Sequence, residues 1–294
     1  MSIFESNIIS IYGKKGKLWL DELPLLVASL SSKLGLSGLK EYSNLSYNYV
    51  LSGFQRDNPI ILKLGLDSEA LKREAFALKF FAELDAVKIL TIDDGMLLLE
   101  RAVPGTSLKS YFPDKETQSR EIACKVMKKL HQASITEHHN FPHIKDWLAV
   151  LDKDWNLPPD YLHKARKLRD QLLKTAGRDV LLHGDLHQDN ILQNGETWVV
   201  IDPKGVIGEP AYEVAAFIRN PMPALLSIHN ASEIIQNRIA GFANLLELPP
   251  RRILDWCFVQ AVIAWIWALE DGCDTSYFKN LTKFFVRYTD IFSQ

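Results

Sequence analysis

A chain of 294 residues, 47% hydrophobic and 24% charged, lies near the globular average, which excludes disorder, collagen-like repeats and a coiled-coil rod. At a prior of ~150 residues per domain it has the length of two domains, or of two lobes packed as one. Its 34 Lys and Arg against 36 Asp and Glu leave a net charge of -2, so no global field draws it to nucleic acid or to an anionic membrane, and any charged site is local.

The N-terminal MSIFESNIISIYGKKGK has no basic stretch followed by an apolar one, so no secretory signal is expected. From residue 21, DELP and the apolar pattern after it predict a short helix to residue 34, with Pro24 in its first turn. Leu39 to Leu66 alternates aromatic and β-branched residues with polar ones, broken by RDNP, and predicts a β-hairpin or three-stranded meander ending in the compact strand IILKL. Asp67 and Ser68 can cap a helix on which Leu71, Ala75, Leu78 and Phe81 share a face. VKILTIDDGMLLLE then reads as two strands around a DDG turn, and RAVPGTSL as a linker.

From Glu116 the pattern is mostly helical, with stretches near 145–154, 159–176, 209–219, 231–246, 250–269 and 275–291. The run from Trp256 to Leu269 is broken by Gln260 and is shorter than the ~20 residues that cross a bilayer, so it is expected as a buried helix. The exception to the helical pattern is DVLLHGDLHQDNILQNGETWVVID, two short strands joined at Asn194-Gly195. Cys124, Cys257 and Cys273 are odd in number and widely spaced, which argues against disulfides or a cysteine zinc site and fits a reducing cytoplasm.

The chemistry is concentrated in the segment that begins at His183. Asp185-Leu186 and Asn190 reproduce the internal spacing of the kinase loop H-R-D-L-x-x-x-N, with Gly184 in place of the Arg, and Asp202 closes the second strand of the hairpin. Such a loop needs an Asp to accept a proton from an attacking hydroxyl, and an Asn and an Asp to hold Mg²⁺ against phosphate oxygens. The competing readings are turn chemistry for Asp185 and Asn190, and transition-metal ligation by His183 and His187, which are expected instead to brace the loop by hydrogen bonds.

A kinase also needs a cation at the phosphates. Lys63 lies in the apolar IILKL, where a buried charge needs a partner; Glu74 on the next helix is preferred over Glu69, and a lysine reaching solvent from a strand edge is the alternative. LSYNYVLSG, around Ser46, would form the phosphate-covering turn, although it has no G-x-G-x-x-G.

Through HGDLHQDNIL, IDPKG and ILKL the chain resembles the aminoglycoside phosphotransferase and choline kinase superfamily. LKREAFALKFF, LLLERAVPGTSL, VVIDPKGVIGEPAYEVAAFIRNP and WALEDG make it most similar to the streptomycin 6-phosphotransferases and hydroxyurea-resistance kinases, over about residues 60 to 275. The resemblance implies an α+β, two-lobed protein-kinase-like fold: a sheet-rich nucleotide-binding lobe over residues 1–101 and a mainly helical catalytic and acceptor-binding lobe over 102–294. It further implies Asp185 as catalytic base, Asn190 and Asp202 as ligands of Mg²⁺, Lys63 with Glu74 orienting the phosphates of ATP, and Glu100, Arg101 and Val103 at a hinge where backbone groups meet adenine. Glu213 stands where these kinases often have Asp.

The acceptor is expected to be a small molecule bearing a hydroxyl. A polycationic antibiotic would require carboxylates, and Glu209, Glu270, Asp271 and Asp274 are the candidates, with Glu213 added beside Glu209 near the metal-site segment, against a capped helix end and solvated turn for Glu270, Asp271 and Asp274. Trp265 and Trp267 are weighed as core residues against sugar platforms, with core preferred. The expected activity is therefore an ATP-dependent kinase of an aminoglycoside-type antibiotic, with an endogenous-metabolite kinase and an inactive nucleotide-binding module as the alternatives.

Overall fold

The computed structural model describes residues 2–43, 45–135 and 140–291, and the chain divides into two compact units, 1–105 and 106–294.

The first unit opens with α1, Ile3–Leu34, which starts well before residue 21. An S-x-x-E box begins it: the Glu5 N–H donates to Ser2 Oγ at 3.2 Å and the Ser2 N–H to Glu5 Oε2 at 2.6 Å. Gly13 interrupts the helix at φ 56° and ψ -128°, and Pro24 sits in its interior rather than in a first turn. The kink resets the apolar period, which hides the leading segment from a periodicity reading.

Strands β1 (Leu36–Glu41), β2 (Tyr49–Gln55) and β3 (Asn58–Leu64) form the expected meander. After α2 (Ser68–Phe80), β4 (Ile89–Asp93) and β5 (Met96–Glu100) complete an antiparallel sheet in the order β1-β2-β3-β5-β4. Alternate residues serve opposite faces. Ile60, Leu62 and Leu64 lie with Leu51, Met96 and Leu98 in a core shared with Phe4, Ile8, Leu23 and Leu30 of α1. Lys63, opposite Val50 and Leu97, belongs to the other face, and α2 packs on β4 and β5. A strand covered on both faces reads as the continuous apolar run IILKL rather than as an alternation.

The expected linker RAVPGTSL, on which the division between the units falls, contains a strand, β6 (Pro104–Ser107), followed by a 3₁₀ turn at Leu108–Tyr111. Its place is in a sheet of order β6-β8-β9, where β8 (Ile191–Asn194) and β9 (Thr197–Val200) are the expected hairpin. Between them the chain runs through α3 (Glu116–Leu130), α4 (Ile144–Leu148), a 3₁₀ turn at Ala149–Asp152, α5 (Pro159–Lys174) and β7 (Val180–Leu182). β10 (Val206–Gly208) pairs antiparallel with β7; at three residues each, neither is long enough to show a period.

Helices α6 (Pro210–Ile218), α7 (Ala224–Ser227), α8 (Ala231–Leu246), α9 (Pro250–Glu270) and α10 (Ser276–Ile291) follow. α9 covers the stretch expected over 250–269; its 21 residues, counted from Pro250 rather than from Trp256, are enough by length and composition to cross a bilayer. Its apolar side chains are spent internally: Trp256, Phe258, Val262 and Ile266 are fully buried, and α5, α6, α8 and α10 pack around it. Arg238 of α8, 1% exposed, donates to the carbonyls of Phe217 and Ile218 at the end of α6 (3.2 and 3.1 Å) and forms a bidentate pair with Glu116 at 2.7 Å on both arms.

Candidate active site

Residues 183–190 connect β7 to β8, and their shape is over-determined by hydrogen bonds. His183 is fully buried; its Nδ1 accepts from the Asp185 N–H at 3.3 Å, so its Nε2–H is the donor to the Ile201 carbonyl at 2.8 Å. Burial pushes its pKa below the ordinary imidazole value, against the carboxylate of Glu213, and keeps the ring neutral in this role. His187 Nδ1 lies 3.3 Å from the Asp189 N–H, and burial likewise lowers its pKa against the pull of Asp185. Both histidines thus brace the loop, and among the described residues no group of three or more His, Cys, Asp or Glu is placed to hold a metal ion.

Gly184 has a physical reason to replace the Arg of the kinase pattern. Its φ is 86°, and a Cβ there would meet Trp147 Cη2 at 2.9 Å, Val206 Cγ1 at 3.1 Å and Lys204 Cβ at 3.2 Å. The N–H groups of His183 and Gly184 point into the interior, where Glu213 of α6 clasps both: Oε2 accepts from His183 at 2.6 Å and Oε1 from Gly184 at 3.0 Å. Glu213 is 1% exposed. Expected among the acceptor carboxylates, it is instead committed to the loop, a role the sequence does not show because the loop and α6 meet only through tertiary packing. Glu213→Ala removes the acceptor of one buried and one part-buried donor, the buried one alone worth about 1–3 kcal/mol, and is expected to lower the urea midpoint markedly and to abolish activity.

Asp185 keeps a partly exposed side chain. Arg219, just past α6, donates from Nη2 to Asp185 Oδ1 at 3.2 Å, and His187 Nε2 lies 3.7 Å from Oδ2. Asn190 donates its Nδ2 to the Asp185 carbonyl at 2.9 Å, which turns the amide oxygen away from that bond. Its own carbonyl accepts from the Ile201 N–H at 3.1 Å, so Asp202 follows directly on the hairpin partner of Asn190. Asp202 takes φ 58°, a conformation Asp tolerates better than most residues, and its Oδ1 meets Lys204 Nζ at 2.9 Å. The structure therefore brings Asp185, Asn190 and Asp202 together on one loop and one hairpin; Arg219 is the member that sequence reasoning did not find.

In the first unit Lys63 Nζ meets Glu74 Oε2 at 2.5 Å with both side chains buried, whereas Glu69 is exposed and pairs with Lys72. Helical spacing accounts for the choice, since Glu74 lies three residues after Leu71 and four before Leu78, both buried. Glu74→Ala leaves the Lys63 ammonium buried without this carboxylate, an expected loss of about 3–5 kcal/mol, while Glu69→Ala at the surface costs less than about 0.5 kcal/mol; urea denaturation distinguishes them. Ser46 is tied to α1, its carbonyl accepting from Asn7 Nδ2 at 3.1 Å. Glu100 ends β5, with its N–H on the Lys88 carbonyl; Arg101 lies over the Phe54 ring at 5.2 Å, and Val103 is exposed.

The other four expected acceptor carboxylates do not form one group. Glu209 is 4% exposed, held by Arg252 at 2.6 and 2.7 Å and by the Trp256 indole N–H. Arg252 sits near the start of α9 and Glu270 at its end, about 27 Å apart at the helical rise per residue, so Glu209 is a buried structural anion and not part of a lip. Glu270 and Asp271 are exposed at the end of α9, with Glu270 3.8 Å from Lys153 Nζ, and Asp274 accepts from the Ser276 N–H at 2.9 Å; hydrogen bonds from the Ser276 hydroxyl and then its backbone lower the Asp274 pKa. Trp265 is core at 5% exposure, while Trp267 is 37% exposed and meets Trp147 edge-on at 6.3 Å.

A sequence model of the family described as aminoglycoside/hydroxyurea antibiotic resistance kinase matches residues 46–272. The streptomycin 3''-kinase of Klebsiella pneumoniae is 26% identical over 235 residues, covering 76% of this chain and 85% of that one. The hydroxyurea phosphotransferase of Kitasatospora aureofaciens is 27% identical over 272 residues, covering 88% of this chain and 77% of that one. A thermostable aminoglycoside phosphotransferase APH(4)-Ia variant, solved in ternary complex with AMP-PNP and hygromycin B, aligns with a TM-score of 0.69 at 16% identity over 88% of this chain and 97% of that one, a likeness of fold.

Proposed function

Because the chain belongs to the aminoglycoside/hydroxyurea antibiotic resistance kinase family, and is thus a small-molecule phosphotransferase of protein-kinase-like α+β fold, we propose that it transfers the γ-phosphate of ATP to a hydroxyl of an aminoglycoside-type antibiotic. The observation that carries this reading is the clustering of Asp185, Asn190 and Asp202 on one hydrogen-bonded loop and hairpin. Asp185 orients the acceptor hydroxyl and receives its proton as the oxygen attacks phosphorus in line.

Asn190 and Asp202 suit Mg²⁺, a hard cation that takes one or two protein oxygens and completes its shell with water and phosphate oxygens. The Asn190 amide already spends its nitrogen on the Asp185 carbonyl, which leaves oxygen as its outward donor. When bound, the ion neutralises charge on the triphosphate. Lys63, oriented by Glu74, contributes the cation of the first unit, and Ser46, Glu100, Arg101 and Val103 its nucleotide-contacting segments. With Glu209 withdrawn into the interior, Glu270, Asp271 and Asp274 remain as carboxylates for a cationic acceptor.

Consumption of ATP against streptomycin, hygromycin B, hydroxyurea, choline and hydroxylated amino acids tests this. Phosphorylated streptomycin or another aminoglycoside is the expected product. Preference for a neutral or anionic metabolite would replace the antibiotic by an endogenous acceptor, and no Mg²⁺-dependent transfer to any hydroxyl would overturn the assignment.

A further inference from the structure

Arg219 is gripped from two sides. While Nη2 donates to Asp185 Oδ1, Nη1 donates to Gln260 Oε1 at 2.6 Å, so the two arms of one planar guanidinium go to different partners. Gln260 is 7% exposed in the middle of α9, flanked by the buried Val259 and Ala261, and its Nε2 donates to the Tyr212 carbonyl at 2.6 Å. That second bond fixes which end of the amide is oxygen, and the oxygen is the end offered to Arg219. A polar side chain so deep in an apolar helix is costly unless its hydrogen bonds are made, and an apolar residue would satisfy packing alone.

We propose that Gln260 is a positioning residue for phosphoryl transfer: through Arg219 it holds the Asp185 carboxylate with Oδ1 engaged, so that Oδ2 is the oxygen presented to the acceptor hydroxyl. The inference rests on the reading of Asp185 as the base. A neutral amide suits the task, because a carboxylate at this place would compete with Asp185 for the guanidinium. Without Gln260, Nη1 is left unpaired, the guanidinium turns to seek another acceptor, and the carboxylate turns with it.

The test is a kinetic cycle on the full chain with ATP and streptomycin, comparing wild type, Gln260→Met, Asp185→Asn and the double variant. Met is unbranched and apolar and fills the space without an acceptor for Arg219. A misaligned base predicts that Gln260→Met lowers kcat about 10–100-fold with both KM values within about 3-fold of wild type. It further predicts that the same substitution changes kcat less than about 2-fold once Asp185 is Asn, because there is no base left to misalign. An unchanged kcat in the single variant, or an equal loss in both backgrounds, overturns the proposal and leaves the base assignment standing. An active Asp185→Asn, or a wild type that does not phosphorylate streptomycin, strikes the underlying reading instead. If Gln260→Met does not fold, Arg219→Lys, whose single ammonium cannot bridge both partners, enters the same cycle with the same two outcomes.

Discussion

Asp185→Asn is expected to lower turnover by roughly 10²–10⁴-fold, the range of a lost general base, with ATP affinity essentially retained. The amide is close in shape to the carboxylate, and its oxygen can still accept from Arg219, which now donates at 3.2 Å, so the orientation of the side chain survives. What is lost is basicity: an amide does not take the proton that the acceptor hydroxyl gives up. Coupled measurement of ADP release, with isothermal titration of ATP, separates the two quantities. A parallel collapse of ATP affinity would move Asp185 from the acceptor side of the reaction to the metal.

Asp202→Asn should fail differently. It preserves size and tolerates the φ of 58° found at this position, so the hairpin is expected to fold as before. It removes the negative charge through which the residue would hold Mg²⁺ beside Asn190, and a loss on the order of 10³-fold at millimolar Mg²⁺ is expected, the scale seen when one electrostatic contact to a transition state is deleted. Raising the Mg²⁺ concentration should recover part of that loss, which it would not do for Asp185→Asn. Unchanged activity at low Mg²⁺ would remove Asp202 from the metal site.

The residues that could be read from the sequence share a property: their geometry is set locally. Asp185, Asn190 and Asp202 lie within one loop and one hairpin, and hydrogen bonds between near neighbours, such as Asn190 to the Asp185 carbonyl, bring them together. Glu74 was separable from Glu69 because helical spacing alone places it on the buried face with Leu71 and Leu78. Glu213, Arg219 and Gln260 act at the same loop from α6, its end and α9, and no pattern of spacing encodes which helix packs against which. The same limit misplaced Glu209: beside the IDPKG segment in sequence it looks like part of the site, and only packing shows Arg252 and Trp256 claiming its carboxylate. α1 was shortened for a different reason, a backbone kink at Gly13 that breaks the period on which helix reading depends.

The clasp of Glu213 on the His183 and Gly184 amides carries a thermal consequence. Every residue of α6 from Ala211 to Ile218 is buried, and Arg238 secures the helix at its far end, so the brace that shapes the loop is anchored in the core of the unit. Many enzymes lose activity on warming before their fold gives way, because loops around the chemistry loosen first. Here the backbone beside Asp185 cannot loosen without pulling on a core helix. Heat inactivation of phosphoryl transfer and melting of the second unit should therefore coincide, and amide protons of His183 and Gly184 should exchange with solvent as slowly as those of α6 itself.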